Sequence, residues 1–214
     1  MNKICCIVGG VFTETLVMPR DCFIIAADKG YKHLKNAGIK ADLAVGDFDS
    51  LGYTPKETQT LCHPIEKDDT DTMLAIKYGL SAGYRIFILY GCVGGERIDH
   101  TVANLQSLSY IAQQGGLGFL IDQNTVITAI HNSKLMFDAR EQGDISVFCL
   151  GDDAEGVNIK GMHYELTNAT LTASFPLGVS NHFIGKAGFV SVKNGTLLII
   201  WQKDIHQLIT DLNS

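Results

Sequence analysis

The chain lacks the features that would tie it to nucleic acid, to a bilayer or to a covalent framework. It has no run of lysine or arginine, and its 17 basic residues stand against 23 acidic ones, a formal charge of −6. A nucleic-acid surface needs clustered positive charge, so that class of partner is excluded. No segment approaches the roughly eighteen apolar residues that a membrane helix needs. The apolar run Ile4 to Val8 stops at Gly9-Gly10, too short for a secretory signal. Cys5, Cys6, Cys22, Cys62, Cys92 and Cys149 show no Cys-x-x-Cys spacing. They read as small buried hydrophobes in a reducing, cytoplasmic compartment, and not as a disulfide frame or a zinc site. Only four prolines occur and no tract is low in complexity, which leaves no room for a disordered linker. A Walker A sequence is missing too, and Gly9-Gly10 matches no dinucleotide fingerprint.

What is present divides near residue 124. From 1 to 124, short apolar runs alternate with helical ones. Ile4–Val8, Phe23–Ala27, Leu43–Val45, Arg85–Tyr90 and Gly118–Ile121 are expected strands, with Leu61–Ile65 a weaker sixth. Tyr31–Ala37, Thr72–Ser81 and Ile98–Gln113 are expected helices. Continuous apolar strands between helices predict a parallel sheet covered on both faces, a three-layer α/β domain. The remainder, 125–214, reads as a second domain, and from Thr125 to Trp201 the helical period disappears. Val126–Ile130, Lys134–Phe137, Ile145–Cys149, Val157–Ile159, Tyr164–Leu166 and Thr170–Ala173 are short alternating runs. Lys193-Asn194-Gly195 is expected to join Phe189–Val192 to Leu197–Trp201 as a hairpin. This half is expected to be an antiparallel β-sandwich or barrel, with a short helix possible at Asp204–Leu212.

Negative charge is concentrated in one place. From Ala41 to Ala75 eight acids face two lysines, a net of −6 equal to that of the whole chain. Lys67-Asp68-Asp69-Thr70-Asp71 puts three carboxylates at the start of a helix. Capping and the helix dipole account for one or two of them but not for three. Upstream, Gly46-Asp47-Phe48-Asp49-Ser50 spaces two acids at i and i+2, so an extended chain would aim both to one side. The alternative there is an Asx-turn, with Asp47 bonding the backbone two residues on. Oxygen-only donors of this kind suit Mg²⁺ and substrate phosphates, which makes Asp47, Asp49 and Asp71 the candidate metal ligands. His63 and His100 have no Cys partners and do not read as zinc ligands.

Ligands of a parallel sheet bind beyond the carboxyl ends of its strands. Asp28-Lys29-Gly30, Asp47/Asp49, Asp68–Asp71 and Gly91–Asp99 all follow expected strands. In Gly94-Gly95-Glu96-Arg97-Ile98-Asp99-His100, glycines before a helix can offer backbone N–H groups to phosphate. A helix beginning near Arg97 would put Arg97, His100 and Asn104 on one face and turn Ile98, Val102 and Leu105 toward the sheet. The alternative is a solvated face with a local Arg97–Asp99 pair.

Taken in order, Ala27-Asp28-Lys29-Gly30, Gly46-Asp47-Phe48-Asp49-Ser50, Lys67-Asp68-Asp69-Thr70-Asp71, Gly94-Gly95-Glu96-Arg97-Ile98-Asp99-His100 and Leu177-Gly178-Val179-Ser180-Asn181 resemble the thiamine pyrophosphokinase family. The resemblance runs from Ile4 to about Trp201. It implies an α/β catalytic domain, a β-sandwich thiamine-binding domain, and a homodimer with sites between the subunits. The implied reaction moves the β,γ-pyrophosphoryl group of ATP to the thiamine hydroxyl, with Mg²⁺, and releases AMP. Carried across, Asp47, Asp49, Asp71 and Asp99 would hold the metal and the reacting groups, with Asp71 or Asp49 taking the hydroxyl proton. Asp28, Lys67, Thr70, Arg97, His100 and Asn104 would contact the nucleotide or order its loops, while Asp68 and Asp69 would only tune the field. Ser180 and Asn181 would meet thiamine. Two positions depart from the family pattern: Lys29 stands where a glycine is usual, and His182 where an acid is usual. The competing expectations are a metal-dependent hydrolase of nucleotides or phosphate esters, and a non-catalytic thiamine- or nucleotide-binding protein. Trp201, the single tryptophan, fits either stacking on an aromatic ligand or a place in the core.

Overall fold

The structure, a computed structural model, describes residues 3–11, 16–49, 51–55, 57–62 and 69–213. Lys67, Asp68, His63 and the end of the expected strand Leu61–Ile65 lie outside the described residues. The apolar runs of the first half form β1 (Ile4–Val8), β2 (Phe23–Ala27), β3 (Leu43–Gly46), β4 (Gln59–Cys62), β5 (Ile86–Tyr90) and β6 (Leu117–Asp122). All six are parallel, in the spatial order β4-β3-β2-β1-β5-β6. Three helices cover them: α1 (Gly30–Asn36), α2 (Asp71–Ser81) and α3 (Ile98–Gln113). The strand alternation sorts the core into two faces. Cys6 and Ala26 pack with Tyr31 and Leu34 of α1. Cys5, Ile7 and Ile25 pack with Ala75 and Ile76 of α2 and with Leu108 and Ile111 of α3. Cys5, Cys6 and Cys92 are buried free thiols, as small hydrophobes should be.

The second half supplies β7 (Thr125–His131), β8 (Lys134–Phe137), β9 (Asp144–Cys149), β10 (Ala154–Lys160), β11 (Leu166–Leu171), β12 (Gly178–His182), β13 (Gly188–Ser191), β14 (Thr196–Gln202) and α4 (Ile205–Leu212). β7 folds back antiparallel on β6, and β14, β9 and β12 follow it, so ten strands make one sheet across both halves. The second sheet, β11-β10-β13-β8, shares a core with the α1 face of the first. The sandwich is therefore built on a continuation of the parallel sheet. α4 is capped by Asp204, which accepts the N–H of Gln207 at 3.1 Å. It is clamped by Lys203, whose 8%-exposed ammonium meets Glu141 and, at 2.9 Å, Asp211. No described helix is long and apolar enough to cross a membrane.

Two local expectations are corrected, and one open alternative, at Trp201, is decided. Asn194-Gly195 does not close a hairpin: β13 pairs with β10 and β8, and β14 with β7 and β9. The turn, with Gly195 at φ 107°, instead carries the chain from one sheet to the other. Tyr164–Leu166 and Thr170–Ala173 are not separate strands, because β11 starts at Leu166 and runs through Thr170. Ser180-Asn181 lies in the edge strand β12. Trp201 belongs to the core. It is 4% exposed, and its ring meets Phe137 and Phe119 edge-on at 5.7 and 6.5 Å.

Candidate active site

β2 and β3 are neighbours, with Ala27 opposite Val45. The next residues of each strand therefore emerge side by side at the carboxyl edge. Asp28 follows β2 in a left-handed conformation, φ 46°, with its N–H bonded to the Val45 carbonyl at 2.9 Å. Gly46 follows at φ 154°, where a β-carbon would stand 3.4 Å from the Asp28 backbone. Asp47 comes next. α2 brings the third acid, because Thr70 caps that helix by accepting the Met73 N–H at 3.2 Å and so fixes Asp71 in its first turn. The result is three carboxylates, from Asp28, Asp47 and Asp71, each offering an oxygen within 4.8 Å of the others. All three are half-buried, and the Asp28 Oδ1 atom is fully so.

Three like charges this close repel strongly unless a cation lies among them. Octahedral Mg²⁺ spaces its oxygens about 2.9 Å apart when cis and about 4.2 Å when trans. The cluster is within a small closure of that geometry, and its donors are all oxygen, so the residues fit a hard divalent cation. Asp28 was expected only as a ligand contact, and the register of β2 on β3 is the signal that would have placed it here.

Asp49 is not brought into this group. The i, i+2 argument assumes extended backbone, but Phe48 sits at φ 58° and is buried. That reversal turns Asp49 outward, and its N–H donates to Asp47 Oδ1 at 3.2 Å in an Asx-turn. Positive φ is unfavourable for a phenylalanine, and such outliers concentrate where a site fixes the chain. Beyond the cluster, Lys77 holds Asp69 at 2.6 Å.

The start of α3 is also turned differently from the expectation. Ile98 and Val102 are 70% and 52% exposed, whereas Asn104 is buried with Ser107, Leu108 and Ile111. Leu108 and Ile111 set the inward stripe, and Asn104 can share it because its amide donates to the Cys92 carbonyl at 2.7 Å. Thr101, which the motif reading passed over, accepts the Gly94 N–H at 3.0 Å. These two bonds tether the glycine loop to the helix. Arg97 and Asp99 form an exposed pair at 2.6 Å, and the guanidinium holds the Asp99 carboxyl down to about 2. His100 is exposed on the same turn.

Ser180 and Asn181 lie at the far end of the same edge. Ser180, at φ 60°, is exposed and bonds through its N–H to the Ser146 hydroxyl at 3.1 Å. Asn181 is 4% exposed, and its side chain clamps backbone: Oδ1 accepts from Tyr164 and His182, and Nδ2 donates to the Tyr164 carbonyl. Tyr164, 61% exposed, stands beside the His163 and His182 rings. His182 in turn lies 3.6 Å from Asp144 on β9.

Known proteins are similar to this chain in sequence and fold. The model of the thiamin pyrophosphokinase catalytic domain matches residues 15–117, and that of the family's vitamin B1 binding domain matches 132–197. The thiamine pyrophosphokinase of Bacillus subtilis (strain 168) is 30% identical over 189 residues, 84% of this chain and 87% of the relative. The crystal structure of thiamine pyrophosphokinase from Bacillus subtilis superposes with a TM-score of 0.82 at 27% identity, covering 95% of this chain and all of that one. That of thiamin pyrophosphokinase from Geobacillus thermodenitrificans gives 0.80 at 27%, covering 94% and 98%. The chain belongs to the thiamin pyrophosphokinase family.

Proposed function

We propose that this chain carries out its family's reaction, transfer of the pyrophosphoryl group of ATP to the hydroxyl of thiamine, with Asp28, Asp47 and Asp71 holding Mg²⁺. The convergence of those three carboxylates at the carboxyl ends of β2 and β3 and the N-terminus of α2 carries the reading. Bound there, Mg²⁺ would supply charge neutralisation for the phosphates and a template for their alignment. The thiamine oxygen attacks the β-phosphorus in line, the bond from that phosphorus to the α-bridging oxygen breaks, and AMP leaves. Positioning dominates such a transfer, and little covalent help is needed. Asp49 is our choice for the proton. It is exposed beside the cluster, and its carboxylate has no partner among the described residues. β5, the strand that leads to Arg97, lies two strand spacings from β2, roughly 10 Å, and Arg97 would turn to a triphosphate once it leaves Asp99.

Thiamine contact falls to Ser180 and its neighbours Tyr164 and His182, which Asn181 holds in place. Seven strand spacings separate β12 from β2, about 34 Å along the sheet. One chain therefore cannot bring both ends of the edge to one thiamine, which supports a homodimer in which each site pairs the acids of one subunit with β12 of the other. Exposed apolar groups at the start of α3, Ile98 and Val102, and beside β12, Phe175, Leu177 and Val179, support the same assembly. Free buried thiols fit the cytoplasm. Incubation with ATP, Mg²⁺ and thiamine should yield AMP and thiamine diphosphate in equal amounts. Release of ADP, or of inorganic phosphate without thiamine, would overturn the assignment.

A further inference from the structure

We infer that Lys29 is a phosphate-binding residue of this site, gripping the nucleotide from the β1–β2 side. The inference rests on the reading above that a nucleotide lies at the Asp28–Asp47–Asp71 edge. It starts from an imbalance of charge. Three carboxylates converge there, and a triphosphate would bring more negative charge to the same place. A single divalent cation does not neutralise both, so cationic side chains are needed at the edge.

The described cations of the first half reduce to few. Lys3, Arg20, Lys40 and Arg85 precede strands and so lie at the opposite edge, and Lys32 and Lys35 sit about one and two turns further down α1 than Lys29. Lys77 is held by both oxygens of Asp69, at 2.8 and 2.6 Å. Arg97 is held by Asp99 through three hydrogen bonds between 2.6 and 3.2 Å. Each would have to give up a carboxylate before meeting phosphate. Lys29 immediately follows Asp28 at the head of α1, is exposed, and has no carboxylate partner among the described residues.

Its surroundings direct it toward the loop after β1. A β-carbon on Gly10 would stand 3.4 Å from Lys29 Cβ and 3.8 Å from its Cδ, so the stem lies along that glycine. His33 of α1 contacts the Gly10 carbonyl at 3.1 Å and fixes the loop against the same helix. Gly30 keeps the corner closed, since a β-carbon there would stand 1.8 Å from the Val8 carbonyl. Lys29 thus extends across a rigid glycine corner with Asp28 directly beside it. An ammonium on a flexible stem suits a phosphate as a point charge.

The test uses the full-length protein and the α,β-methylene analogue of ATP with Mg²⁺, so that binding is read without turnover. Calorimetry should show Lys29→Met and Lys29→Gly weakening the analogue about tenfold or more, with Lys29→Arg recovering most of the loss. The dependence of binding on salt should be shallower in Lys29→Met than in the unaltered chain. In turnover, the same variant should raise KM for MgATP and leave KM for thiamine unchanged. Equal binding by the unaltered chain and Lys29→Met overturns the inference, as does an equal loss in Lys29→Arg, or failure of the unaltered chain to bind the analogue. AMP release by the unaltered chain is scored separately. If it occurs while Lys29 proves irrelevant, only this inference fails. If binding depends on Lys29 but no AMP appears, only the assigned reaction fails.

Discussion

Two helices of this chain begin at the same edge of the same sheet, each with an acid in its first turn, and they begin in opposite ways. α2 has a side-chain cap in Thr70, and its Asp71 is half-buried against Asp28 and Asp47. α3 has no side-chain cap, and its Asp99 stands 61% exposed, paired with an Arg97 that is 68% exposed. Local sequence does not separate the cases, since acid at a helix N-terminus is favoured by the dipole in both. The neighbours separate them. The strands beside α2's entry, β2 and β3, end in acids of their own. β5, which leads to α3, is flanked by β1, ending at Gly9-Gly10, and by β6, whose terminal acid, Asp122, is exposed in the tight turn back to β7 and joins no carboxylate cluster among the described residues. An acid becomes part of a site when adjacent strand ends deliver others to it.

The sharpest way to break that contrast is Asp71→Asn. Removing one of three metal-holding carboxylates should cut thiamine-dependent AMP release by roughly a thousandfold or more. Mn²⁺ binding, followed by electron paramagnetic resonance, should weaken in parallel. The metal-free protein should melt at the same temperature or higher, because one of three mutually repelling charges has gone. An Asp99→Asn variant as damaged as Asp71→Asn would dissolve the distinction between the two helix starts.

Most of the fold was legible because the signals were periodic. Continuous apolar runs flanked by Gly and Asp marked the parallel strands, and α3 was placed from Ile98 to Gln113 as found. What could not be read was the result of pairing. Asn194-Gly195 has the local chemistry of a hairpin, yet the partners of β13 and β14 are decided by cores far away in sequence. The inward face of α3 follows Leu108 and Ile111, and the i, i+4, i+7 spacing puts Asn104 on it, but the distant Cys92 carbonyl that lets the amide be buried there is not visible in local sequence. In the site, Asp47 and Asp71 were visible from their clusters. Asp28 needed the register of β2 on β3, and the exclusion of Asp49 needed a positive φ at a phenylalanine. Asn181 fell in a motif but does its work as a clamp.

A second experiment sharpens the comparison from the interior of α3. If that helix is held by its buried side and not by its charged start, Asn104→Ala should cost about 1–3 kcal/mol, because the Cys92 carbonyl loses its donor in a buried setting. Urea unfolding measures this directly. Ile98→Ala, at a 70%-exposed position, should shift the midpoint by less than about 0.5 kcal/mol in dilute protein. A larger loss that grows with protein concentration would place Ile98 in the subunit contact.

The smallest effect is expected at Asp99, and it can be followed with pH. The Arg97 guanidinium depresses the folded carboxyl to about 2, below the unfolded value near 3.9. Such a group contributes stability that is fully present above the unfolded value and is lost as pH falls through the folded one. Between about pH 5 and 9 the pair therefore does not titrate. Asp99→Asn should leave the urea midpoint unchanged across that window, since the pair is solvent-exposed and screened. Activity should fall by at least about tenfold less than in Asp71→Asn, because Arg97 keeps its place but loses its tether. The acid limb of the activity profile should lie at the same pH in Asp99→Asn as in the unaltered chain. A displaced limb would mean that Asp99 leaves Arg97 and titrates within the working site, and the two helix starts would then be equivalent after all.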